Sequence, residues 1–264
     1  MRRLLAQVGH LASDERRSVL IWGVYLGALG AMYIALYPSL SKGLEQYLNS
    51  APANIMHFLG IQAGGPLTPR SWLALEMFNL VGPLALPFFA ILAGSRAVAG
   101  AEERGRLDIY LSNPVPRWQV IVGSFMAQAA GLAGILALLW LLIWLAALAA
   151  GVKLGAGAIL AGVANLWPFS LFFGGLALML SSVVRRSQAS TSAAAVILLL
   201  MYVVNALGNI SSAMKPFRRF SLFYHYGSAI EHGVAWTSFL VTLAIALGFM
   251  ALAIVAFNRR DIYT

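Results

Sequence analysis

Between Arg117 and Lys153 the chain carries no charged side chain. As a helix rising roughly 1.5 Å per residue, that run is about 50 Å long, more than the ~30 Å hydrocarbon core of a bilayer. A soluble domain would have to cover every face of such a helix, so the run reads as a membrane span with its flanking turns. Five shorter runs repeat the pattern, and the expected spans are about 18–38, 71–95, 119–150, 158–184, 189–210 and 236–257. Only 10% of the 264 residues are charged and the mean hydropathy is +0.80, whereas a soluble domain carries about 25% charge. The expected fold class is therefore an all-α polytopic membrane protein with six transmembrane helices, residues 1–264 forming one transmembrane domain embedded in a lipid bilayer.

The charge distribution orients the spans. A net charge of +9 would suggest nucleic acid in a soluble protein. Here the basic residues cluster at the ends of apolar runs, so topology explains them and no nucleic-acid partner is expected. With six spans, Arg2, Arg3, Arg16, Arg17, Arg96, Arg104, Arg106, Arg117, Arg185, Arg186, Arg259 and Arg260 fall on one side. Lys42, Arg70, Lys153, Lys215, Arg218 and Arg219 fall on the other. The majority side is expected to be cytosolic, with both termini there. The N-terminus, MRRLLAQVGHLASDERR, lacks an apolar core followed by a small-residue cleavage site, so the first span is expected to act as its own signal.

Several local features modify the plain six-span plan. Leu4, Leu5, Val8 and Leu11 share one helical face, which suits an interfacial helix over residues 2–12; a basic tail is the alternative. Ser13 or Asp14 would cap the next helix. Gly23, Gly27 and Gly30 fall near one face of the first span, a small-residue stripe that either admits a close neighbour or is incidental. If it lines subunit pairing, Gly27→Leu should reduce assembly. Leu40, Leu44 and Leu48 suggest a short surface helix ended by Asn49–Pro52, and a second short helix is expected over 53–60. The second span holds Glu76, Pro83 and Pro87. The prolines should kink it. Glu76 either faces a substrate path or reaches water at the interface. Residues 211–235 mix Lys215, Arg218 and Arg219 with Phe217, Phe220, Phe223, Tyr224 and Tyr226, as suits a headgroup layer or a partly re-entrant element.

Much chemistry is missing from the sequence. There is no GxxxxGK[ST] phosphate loop, no HExxH and no cysteine, and the four histidines all lie outside the spans. An integral membrane enzyme would lack a catalytic set. A self-powered carrier needs buried ionisable groups, for which Glu76 is the single candidate. No cofactor is expected on this chain. An external source of energy is the better expectation, with an ATPase-independent carrier or scaffold as the alternative.

The densest charge lies between the second and third spans, in RAVAGAEERGRLDIYLSNPVPRW from Arg96 to Trp118. Glu102–Arg106 and Arg104–Asp108 are i,i+4 pairs that favour a short helix from Glu102 to Leu111, with Leu107, Tyr110 and Leu111 along one face. Asn113–Pro114–Val115–Pro116 would end it. A solvated loop of mixed charge is the alternative. The segment resembles the loop between spans two and three of the ABC-2 type permease family, where an EExGTLExLLSxPVSR-like run occurs. Glu102, Glu103, Gly105, Leu107, Leu111, Ser112, Pro114, Val115 and Arg117 match; Arg106, Asp108 and Pro116 depart from it. The ending FNRRDIY and the segment KPFRRFSLFYHY also resemble family motifs.

This resemblance implies a half-transporter for export across the cell membrane. Two six-span subunits, identical or not, would pair and bind two copies of a separate ABC ATP-binding subunit, which would hold ATP and Mg. Residues 2–12 would form an elbow helix along the membrane. The loop would carry a coupling helix, placing Glu102, Glu103, Gly105, Leu107, Asp108, Leu111, Pro114 and Arg117 at the ATPase contact. Glu76, Pro83 and Pro87 would lie along a substrate path.

Overall fold

The computed structural model describes residues 2–50, 68–105 and 116–259. Helix α1 runs from Arg2 to Ser50, with Arg16–Ser41 as its apolar part. The expected division into an interfacial helix, a span and a short surface helix is replaced by one continuous element. The reason is local: a Ser or Asp caps a helix only where the preceding backbone leaves helical geometry, and nothing in residues 12–18 forces that. Pro38 sits inside α1; membrane helices tolerate such a residue because neighbours re-satisfy the freed carbonyl. The short helix expected over 53–60 lies outside the described residues.

The second spanning element, Pro69–Ala97, has three parts. Helix α2 (Pro69–Leu73) starts at Thr68, whose side chain and Ser71 cap each other reciprocally. A π-helical stretch, Ala74–Val81, follows, and then α3 (Gly82–Ala97). The wide turns have a cause in Pro83. It has no N–H for the carbonyl of Asn79, and its ring crowds that carbonyl. The Gly82 N–H instead reaches back five residues to Met77 O. The expected kink is thus taken up by widened turns.

After α4 (Ala99–Glu103) come α5 (Arg117–Ala149), α6 (Ala156–Val183), α7 (Ser187–Ile210) and, after residues 211–235, α10 (Trp236–Arg259). Six helices are long and apolar enough to cross a membrane. Helix α6 is the centre of the bundle: 78% of its apolar window is buried, against 17% for α7 and for α10. It packs on α3, α5 and α10, while α1 packs mainly on α5. The α3–α6 crossing is close because Gly94 meets Gly174 backbone to backbone. Indole N–H groups tie the layers together: Trp72 donates to Tyr33 O (2.8 Å) and Trp167 to Ala129 O (2.9 Å).

The stripe of Gly23, Gly27 and Gly30 faces α5 of the same chain. A Cβ at Gly27 would lie 2.5 Å from Leu142 Cδ1, and one at Gly30 would lie 2.7 Å from Ile143 Cδ1. The stripe therefore serves packing within the chain. Subunit pairing, where it occurs, needs another face.

Residues 211–235 fold back onto the bundle. A 3₁₀ turn (Lys215–Phe220) leads into α8 (Leu222–Tyr226) and α9 (Ala229–His232). Leu222, Phe223, Tyr226 and Ile230 are buried. Phe223 and Tyr226 pack with ring centroids 5.0 Å from Phe169 of α6, and Asn165 Nδ2 donates to Tyr226 O (2.7 Å). Arg218 lies across Gly208 of α7, donates to Asn205 Oδ1 (3.3 Å) and sits 5.0 Å above the Tyr224 ring. The segment is thus packed on α6 through its aromatic side chains and on α7 through Arg218.

Candidate functional site

The site lies at the end of the bundle where α3 finishes and α5 begins. Helix α3 stops at Ala97, and Val98 departs from helical geometry with φ −113° and ψ −68°. The break leaves polar backbone groups inside the protein, and Ser181 of α6 satisfies two of them. Its hydroxyl donates to Ser95 O (3.0 Å) and accepts from Ala99 N (2.9 Å), in wholly buried surroundings. Helix α6 thereby holds the bend at the start of the charged connection.

Helix α4 then ends after Glu103. Gly105 adopts φ +64°, a left-handed conformation that a glycine allows without a Cβ penalty, and its N–H bonds Glu102 O (2.9 Å). The expected helix from Glu102 to Leu111 therefore does not run through Gly105. Glu102 and Glu103 belong to the helix before it. Leu107, Asp108, Leu111 and Pro114 lie outside the described residues, as does Arg106.

Glu103 finds a partner that its neighbours in sequence do not announce. Its carboxylate accepts from Ser187 N (2.9 Å) and from Ser187 Oγ (2.5 Å), at the first residue of α7. A helix start presents N–H groups without intrahelical partners and a positive dipole end, so a carboxylate suits it. The two Ser187 hydrogen bonds, helped by Arg104 and Arg186, hold the Glu103 carboxyl below the usual carboxylate range although it is exposed to solvent. Arg117, at the start of α5, donates from Nη1 to Phe257 O (3.3 Å) and stands 5.8 Å from the Phe257 ring centroid. The two described ends of the connection are thus tied to different helices, Glu103 to α7 and Arg117 to α10.

The second set of expected residues is placed differently. Pro83 and Pro87 are buried within the chain's own core. Glu76 lies in the π-helical stretch, half-buried, and interacts electrostatically with Tyr33 of α1. Sequence reasoning passed over Gln128 of α5, which is 2% exposed. Its Nε2 donates to Ala90 O of α3, and its amide lies against Gly174 of α6. It also passed over Ser187, although a small hydroxyl residue directly before an apolar run is a helix-start signal that asks for an acidic neighbour. Among the described residues no group of three or more His, Asp or Glu is placed to hold a metal ion.

Six apolar helices, five of them around a buried central one, with a charged connection pinned at one end, define a multi-pass membrane protein. Residues 12–262 match the family model described as ABC-2 family transporter protein, and the chain belongs to that family. It is a membrane permease subunit of the ABC transporter class, a part that moves substrate and is not itself catalytic. No curated protein matches the sequence significantly.

Proposed function

We propose that this chain is the membrane-spanning subunit of an ATP-driven exporter of the cell membrane. Two copies of a separate ATPase, holding ATP and Mg, would dock on the connection between α4 and α5. A second permease subunit, identical or different, would complete the path. Both termini would face the cytosol. The observation that supports this most is the pinning of the connection: Glu103 ties it to α7, Ser181 ties its start to α6, and Arg117 ties its exit to α10. A displacement of residues 102–117 is therefore passed to three spans at once.

The test is co-purification of the tagged chain with its ATPase from mild detergent. Asp108→Arg, on the connection, should remove the ATPase and export while membrane insertion stays normal. Wild-type association and export in that variant would overturn the docking assignment. Labelling of single cysteines placed at Ser50 and Ser112 tests the orientation. Reaction of position 112 from outside intact cells would overturn it.

A further inference from the structure

A groove of about 330 Å³ opens on the bilayer side of the bundle between α5, α6 and the start of α10. Ala133 and Ala137 of α5 and Ala164 of α6 leave the space, and Phe239 closes one end. Ala133 and Ala137 are exposed, so the groove opens sideways toward lipid rather than into the core. Its walls are Trp140 and Trp167, and both are fixed. Trp140 Nε1 donates to Ala156 O (3.1 Å), Trp167 Nε1 donates to Ala129 O (2.9 Å), and Trp140 stacks on Trp144 at 5.5 Å. With both N–H groups used, the rings cannot swing in to fill the space, and no polar side chain lines it. The volume lies in the range of ligand sites, roughly 300–1,000 Å³. From Ala133 to Trp140 it follows α5 for about 10 Å at roughly 1.5 Å per residue, within one leaflet's share of the hydrocarbon core.

Charge identifies the occupant. Between Arg117 and Arg185, Lys153 is the only charged residue. It is exposed in the turn joining α5 to α6, three residues before the Ala156 carbonyl that holds Trp140. An apolar slot whose Trp140 wall is held by the Ala156 carbonyl, three residues from the one cation of residues 118–184, matches an acyl chain below an anionic phosphate. We propose that the groove is a retention site for one anionic phospholipid of the leaflet opposite the chain termini, its tail between Trp140 and Trp167 and its phosphate at Lys153. Such a lipid would fill a gap between α5 and α6 that the side chains leave open.

The experiment is native mass spectrometry of the full chain purified in mild detergent, then reloaded from vesicles of phosphatidylglycerol or of phosphatidylcholine. The wild-type chain should retain phosphatidylglycerol preferentially. Ala164→Trp fills the groove and should lower retention of both lipids by about tenfold, a change of roughly 1.4 kcal/mol. Lys153→Gln should remove the preference for phosphatidylglycerol and leave phosphatidylcholine retention unchanged. If Ala164→Trp does not insert, Ala133→Leu at the exposed wall carries the same expectation. Undiminished retention in the groove-filling variants, or no lipid retained by the wild-type chain, overturns the proposal. So does disulfide crosslinking of Ala137→Cys between two copies, which would show that a second chain covers the groove; the sequence has no cysteine to confuse that readout.

Discussion

Gly94→Ala tests how close the central helices stand. A Cβ at this position would run into the carbonyl oxygen of Gly174 and would lie 3.0 Å from Leu178 N and 3.2 Å from Ala177 Cβ. The first two are backbone atoms of α6, so no side chain can swing aside. Ordinary contact would require the helices to part by about 1 Å, and a gap of that size forfeits a quarter to a half of each dispersion contact across it. Overpacking of this kind costs about 1–3 kcal/mol, against about 1 kcal/mol that alanine gains over glycine within a helix. The net expectation is a loss of up to about 2 kcal/mol relative to the parent chain, and of about 1–3 kcal/mol relative to a glycine-to-alanine change that gains only the helix term. Gly123→Ala is the control, because a Cβ there meets nothing within 4 Å and only the helix gain remains. Thermal unfolding in detergent, followed by tryptophan fluorescence, reads both. At about 2–4 °C per kcal/mol, Gly94→Ala should melt up to about 8 °C below the parent chain and roughly 2–12 °C below Gly123→Ala, which should lie at or above the parent. A Gly94→Ala midpoint equal to that of Gly123→Ala would refute the close backbone contact.

Three further outcomes follow from the packing. Gly27→Leu should lower the thermal stability of the single chain, because the new side chain meets Leu142; a variant with unchanged melting but lost subunit pairing would restore the stripe to an intermolecular role. Gln128→Met should change stability by less than about 1 kcal/mol, since it gives up one hydrogen bond and also removes Oε1, which is buried and has no partner among the described residues. Gln128→Glu should cost about 2.5–3.5 kcal/mol by placing a charge within the bundle, so equal melting of the two variants would contradict the placement. Glu103 has a depressed carboxyl, so its tie to Ser187 is complete above the ordinary value of 4.5 and is lost as pH falls through its lowered one. Protection of the Ser187 amide against hydrogen exchange, corrected for the intrinsic rate, should therefore be unchanged between pH 7 and about 5.5 and should fall only at lower pH; Glu103→Gln should lower it wherever the wild-type carboxylate is charged.

The six spans were legible because the run of apolar residues is itself the physical requirement for crossing a bilayer, and neighbouring helices alter it little. Boundaries between helices were less legible. Ser13 and Asp14 are good caps in isolation, yet α1 continues through them, since a cap acts only where the chain already turns. Gly105 was equally compatible with a helix interior and a helix stop; its positive φ decides for the stop. The glycine stripe marked a close approach correctly but carried no label for its partner, which is Leu142 and Ile143 of the same chain. Pro83 announced a disturbance, which takes the form of widened turns over Ala74–Val81. In the candidate site, charge density singled out the connection but not the contacts at its ends. The bond from Glu103 to Ser187 spans 84 positions, and no local pattern encodes it.

That bond bears on how the proposed coupling would work. A force applied to residues 106–115 has two described exits, α4 on one side and α5 on the other. Slippage of α3 along α6 is resisted by the Gly94–Gly174 contact and by the Ser181 hydroxyl, which grips both sides of the bend. Helix α7 is held more loosely, with 17% of its apolar window buried, yet Glu103 grips its first residue. The stiff path therefore ends on α7, one of the two least buried spans; the other, α10, is tied to the connection through Arg117. Motion of the connection would tilt α7 against a fixed α3–α6 core, and Ser187→Ala would weaken that transfer while leaving the core intact.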